Sequence, residues 1–114
     1  MAVIATVTSI NGVPIRLSKE RWLHVIEHHE ELEPFQREIV LTIADPDLVY
    51  LSPVSLKPSY AAVKSIPKLV EAGLARNLIV HYREVSHSDG FILTALVMSD
   101  ERVERRFRLW RRLR

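Results

Sequence analysis

NLIVHYREVSHSDGFILTALVM, residues 77–98, is the stretch whose reading decides the fold. Asn77–Val85 and Phe91–Met98 are rich in β-branched and aromatic residues with polar residues interleaved, the pattern of two strands. Ser-His-Ser-Asp-Gly joins them, and Asp89-Gly90 has the composition of a tight hairpin turn. A two-residue turn centred there pairs Ser88 with Phe91, Val85 with Thr94 and Arg83 with Leu96. Side chains alternate along a strand, so this register predicts that His81, Arg83, His87 and Thr94 share one face. Leu78, Val80, Tyr82, Phe91, Leu93, Ala95 and Val97 then share the other, which is the core side.

Upstream, Ala2–Thr8 reads as a strand entering a turn at Asn11-Gly12, with Val13–Leu17 returning. Pro14 has no amide to donate and predicts an edge position for that return. Ser18 is an N-cap for a first helix with Glu20 in its first turn. Pro34 suits the start of a second helix, Phe35–Ala44, which Asp45-Pro46-Asp47 stops. Leu48–Leu51 reads as a short strand and Ser52–Ser59 as a loop. Tyr60–Ile66 reads as a strand, and a short helix from Pro67 ends at Gly73. Downstream of the hairpin, Ser99 caps a last helix with acids first and arginines last, anchored by Val103, Phe107 and Trp110. The expectation is one α+β domain over residues 1–114, with helices packed on a small antiparallel sheet.

Composition narrows the chemistry. With 114 residues, 47% of them hydrophobic and 26% charged, the chain has the makeup of an ordinary globular domain. It contains no cysteine, which excludes disulfides, thiolate metal sites and cysteine nucleophiles. Ala2–Val7 is too short for a secretory apolar segment, and no run approaches a membrane span, so the expectation is a cytoplasmic protein that does not enter membranes. Net charge is +2, yet Ser99–Arg114 holds seven arginines against three acids, or +4, leaving −2 for the remainder. That asymmetry points to an anionic partner for the tail, although a solvated amphipathic helix has the same composition.

Residues 21–32, RWLHVIEHHEEL, concentrate three histidines, an arginine and a tryptophan in about three helical turns. On a helical wheel Trp22, Val25, Ile26 and His29 fall on one side, and Arg21, His24 and His28 on another. His24 and His28, one turn apart, have a spacing that two zinc ligands use, but no carboxylate motif accompanies them, and neither a metal nor a cofactor is expected. His29 on the apolar side also fits a hydrogen-bonded core histidine. Trp22, Phe107 and Trp110 sit in apolar stripes and read as core residues.

Those twelve residues, followed by Asp45-Pro46-Asp47 and by a late strand reading Phe91-Ile92-Leu93-Thr94-Ala95, resemble the phage and bacterial branch of the barnase, EndoU, colicin and RelE-like nuclease fold. The resemblance spans most of the chain. His28 stands where an arginine is usual in that branch and Glu30 where a proline is usual, so a fixed positive charge gives way to one present only on protonation. The resemblance implies a metal-independent endoribonuclease. In that reading His24 and His29 are the general base and acid, Arg83 holds phosphate charge, and Thr94 orients a phosphate oxygen or the 2′-hydroxyl. Arg21, His28, His81, Arg105 and Arg108 are then substrate-binding residues, and RNA is the partner. A toxin of this kind implies an antitoxin or immunity protein as well. The competing expectation is a non-catalytic module that docks RNA or a protein through the C-terminal arginines; Thr94 then needs no reason beyond strand propensity.

Overall fold

The computed structural model describes residues 2–53, 56–57 and 59–114. Two strands, β1 (Val3–Thr8) and β2 (Pro14–Ser18), form an antiparallel hairpin, and β2 runs directly into α1 (Lys19–His28). The Ser18 hydroxyl accepts the Arg21 amide as the expected N-cap. A 3-10 helix (Glu30–Phe35) containing Pro34 leads into α2 (Gln36–Ala44), so the acidic residues expected at the end of the first helix belong to a separate, tighter turn. There follow β3 (Leu48–Leu51), β4 (Ser59–Ser65), α3 (Pro67–Glu71), β5 (Asn77–Ser86), β6 (Asp89–Met98), α4 (Asp100–Arg106) and β7 (Arg111–Arg112). The loop expected over Ser52–Ser59 lies partly outside the described residues. Gly73 ends α3 with a φ of 79°, a conformation open to glycine at little cost.

The strands form one seven-stranded sheet in the order β1-β2-β6-β5-β4-β3-β7. It is larger than the small sheet the sequence suggested, and it is mixed: β2 pairs with β6 in parallel through Ile15↔Gly90 and Arg16↔Phe91. Pro14 therefore does not mark an edge. It is the first residue of an internal strand, where its missing amide interrupts nothing. The described edges are β1 and β7, and β7 corrects a second expectation, because the last helix stops at Arg106 and the following arginines pair with β3.

Both faces of the sheet are packed, unequally. On one, α1, α2 and α3 bring Val25, Ile39, Ile43 and Leu69 against Ile15, Leu17, Val49, Leu78, Val80, Tyr82, Ile92 and Ala95. On the other, Ala61, Val63, Ile79 and Met98 meet Val103 and Phe107, with Leu48, Tyr50, Leu96 and Trp110 at the margin. The second cover is a short helix and the turn after it, and it does not reach the whole sheet.

The β5–β6 hairpin differs from its predicted register. Ser86 pairs with Asp89, so the turn is His87-Ser88, and irregularities follow in both strands: His81 pairs with Thr94, Tyr82 with Ile92 and Arg83 with Phe91. The Ser86 hydroxyl accepts the Ser88 amide at 3.2 Å, closing the turn without a glycine. Gly90 serves another purpose. A Cβ there would lie 2.5 Å from Ile15 Cδ1 and 2.6 Å from the Arg83 carbonyl oxygen, so glycine permits β2 and β5 to approach β6. The extra residue near Leu93 shifts the alternation by one, which carries Ile92 into the core and moves Phe91 to the opposite face, contrary to the predicted grouping.

Candidate nucleic-acid interface

The less covered face of the sheet holds Arg16, Arg83, Thr94 and His81. Its first row crosses three paired strands as Arg16 (β2), Phe91 (β6) and Arg83 (β5) and ends at Ser59 (β4). The next row is Thr94, His81, Ala61 and Tyr50. Cover from α4 falls on the second row: His81 lies 6.1 Å from the Phe107 ring and 6.0 Å from that of Trp110, while Phe107 stacks on Tyr50 at 4.8 Å. Enclosed in this way, and with the Arg106 guanidinium nearby as a lesser cause, His81 has its pKa lowered to about 4. It is neutral at pH 7 and too weak a base to take a hydroxyl proton efficiently there.

Arg83 is placed differently. Its side chain is half-buried, its Nε is buried, and that Nε has no hydrogen-bond partner among the described residues. Glu84, next in sequence, points to the opposite face, where its carboxylate accepts from Ser9 Oγ at 2.6 Å and Asn11 Nδ2 at 3.1 Å. That carboxylate, together with burial as the larger cause, raises the pKa of Tyr60. Among the described residues Arg83 thus has no carboxylate to neutralise it, and a partly desolvated guanidinium without an anion is an arrangement that a bound phosphate would relieve.

Phe91 borders two concavities. One is lined by Arg16, Ser18, Glu20, Arg21 and Phe91 at the start of α1; the other by Leu56, Lys57, Arg83, Glu84, Val85 and Phe91. Arg16 is held by Asp89 at 3.0 Å. The Arg21 side chain, by contrast, has no such partner among the described residues. Among the described residues β2 pairs with β6 no farther than Phe91, and α1 packs against β6. Arg21, in the first turn of α1, thus borders one of these concavities and Arg83 the other, with Phe91 between them.

The predicted site residues separate into groups. Arg83, Thr94 and His81 share one face, as expected, although through the corrected register. Arg21 joins them through Phe91. His24 and His28 stand together on the polar side of α1 with ring centroids 4.5 Å apart, and His28 Nδ1 donates to the His24 carbonyl at 3.0 Å. His29 is not on the apolar helical stripe: it is the residue after the helix, with φ −140° and ψ 64°, and its Nδ1 lies 3.6 Å from Glu31. Arg105 and Arg108 are exposed on and after α4. Arg105 also lines, with Arg102, Arg106, Leu96 and Met98, a concavity that continues the row of Thr94 along β6. Among the described residues no three histidine, aspartate or glutamate side chains converge as metal ligands, and no helix is long and apolar enough to cross a membrane.

Phe91 was missed by the sequence reading, which assigned it to the core. The irregularity that turns it outward lies near Leu93, and its partners Arg16 and Arg83 reach it by pairings across the sheet that no local pattern announces. The chain matches no protein-family model, no curated protein and no solved structure.

Proposed function

We propose that this protein is an endoribonuclease that binds RNA across the open part of the sheet and cleaves it without a metal. The observation that carries the reading is the half-buried Arg83 side chain, whose Nε has no hydrogen-bond partner among the described residues, on an open face whose rim holds further arginines. Arg83 holds a phosphate, Thr94 orients one of its oxygens, and Arg105 and Arg108 engage the backbone farther along. In the chemistry proposed, the 2′-oxygen attacks phosphorus as its proton passes to a base; the bond to the 5′-oxygen breaks, and that oxygen takes a proton from an acid. The products are a 2′,3′-cyclic phosphate and a 5′-hydroxyl. Of the α1 histidines, His24 is the preferred proton carrier, because it lies one turn from Arg21, which shares a concavity with Phe91, whereas His29 follows the helix at its far end beside Glu31.

One observation favours a second reading, a non-catalytic RNA-binding module: the imidazole nearest Arg83 along the sheet is His81, which is enclosed and neutral. The test is incubation with labelled RNA in the presence of chelator, for wild type, His24→Ala and Arg83→Ala, with a 2′-O-methyl strand of the same sequence as control. Cleavage of RNA alone, lost in both variants, is the expected result. Binding without cleavage by wild type assigns the second reading, and absence of both overturns the proposal.

A further inference from the structure

Resting on the RNA-binding reading above, we infer that Phe91 is a base-stacking platform and that the substrate is a single-stranded segment, with one nucleobase on Phe91 and phosphates held on either side by Arg21 and Arg83. Among the described residues, Phe91 alone is shared by the linings of those two concavities. It is half-exposed although aromatic, and it is the cross-strand partner of both Arg16 and Arg83. Neighbouring strands lie about 4.8 Å apart, so the ring stands one strand spacing from Arg83 on one side and from Arg16, which Asp89 holds, on the other; Arg21 lines the concavity on the Arg16 side. An aromatic wall between two anion-seeking sites matches the repeat of an unpaired strand, in which phosphate, base and phosphate alternate.

The acidic groups facing this surface agree with that placement. Asp89 is engaged by Arg16, and Glu84 is turned to the other face by Ser9 and Asn11, which leaves Glu20 as the exposed carboxylate on the rim. A base in a duplex has both faces stacked on its neighbours and cannot lie on Phe91 without being extruded. A duplex therefore meets only the arginines. Base stacking on an aromatic side chain tolerates any base, so little sequence preference is expected from this position.

The test measures binding of a short fluorescein-labelled RNA to the full chain at moderate salt, as a single strand and annealed to its complement. An internal 2-aminopurine reports stacking in a parallel titration. The expected result is a single-strand preference, quenching of 2-aminopurine on binding, and a loss of roughly tenfold in single-strand affinity for Phe91→Ala. Phe91→Leu keeps apolar bulk and guards against misfolding; it should lose affinity like Phe91→Ala, while Phe91→Trp should retain it. Equal affinity for duplex, or a Phe91→Leu variant that binds as wild type does, overturns the stacking inference. If Arg83→Ala still weakens binding in that case, the RNA-binding reading stands without it. Wild type that binds neither strand overturns both, as does displacement of RNA by polyglutamate at equal charge concentration, which would assign the face to an acidic protein.

Discussion

The two sides of β5 are built by alternate residues of one strand and have opposite character. Leu78, Val80 and Tyr82 point into the larger cluster and are all at most 1% exposed; the polar residue that ends this series, Glu84, is matched by Ser9 and Asn11. On the reverse side the series runs Ile79, His81, Arg83: apolar and sealed, then polar under two aromatic rings, then cationic and unpartnered. The gradient follows the cover, which ends where Phe107 and Trp110 end. One side is satisfied by the protein itself, and the other becomes progressively less so, which is the condition for binding something else.

Substitutions on the two sides should separate accordingly. The largest effect is expected from Tyr82→Ala: Tyr82 is fully buried and stacked on Tyr60 at 5.2 Å, so its loss should cost about 3–5 kcal/mol, read from urea unfolding midpoints. His81 comes next, through pH. Its pKa falls from 6.5 to about 4 on folding, so the unfolded chain takes up that proton first. Stability from the neutral imidazole is fully present above pH 6.5 and is lost as pH falls toward 4, by on the order of 3 kcal/mol. His81→Asn should flatten that part of the pH profile relative to wild type in denaturant titrations at pH 7 and 4.5.

Gly90→Ala tests the junction between the sides. The new methyl meets Ile15 and the Arg83 carbonyl, and the expected cost is about 1–3 kcal/mol in thermal or urea unfolding, together with weaker RNA binding as Phe91 shifts. Arg83→Ala should change stability least, within about 0.5 kcal/mol, because no partner is lost. A measured loss of several kcal/mol at Arg83 would place it with the structural residues and end the contrast.

Much of this architecture is written locally. Ser18 and Ser99 cap helices as their sequence contexts imply, and Pro67 and Gly73 bracket α3. The apolar runs of β5 and β6 are unmistakable strands. What could not be read were features set by distant contacts. Asp89-Gly90 has the composition of a turn, yet Gly90 is required by its neighbours in β2 and β5; Pro14 looks like an edge signal, yet it begins an inner strand. The candidate site inherits the same limit. Arg83 and Thr94 were placed on one side by alternation alone, whereas Phe91 and the approach of Arg21 depend on how β2 and α1 meet β6. His29 was misplaced because helical periodicity was extended one residue past the end of α1.

The parallel pairing of β2 with β6 has a consequence for assembly. It joins Ile15 to Gly90 through only two residue pairs, and the clasp of Ser9 and Asn11 on Glu84 spans a similar length of chain. Such contacts close the longest loops and are made only after most of the chain has been ordered, so the N-terminal hairpin should dock late in folding and detach early. Amides of β1 should accordingly exchange with solvent well before those of β4 and β5, and each detachment would dismantle one wall of the Phe91 surface while leaving the rest of the sheet intact.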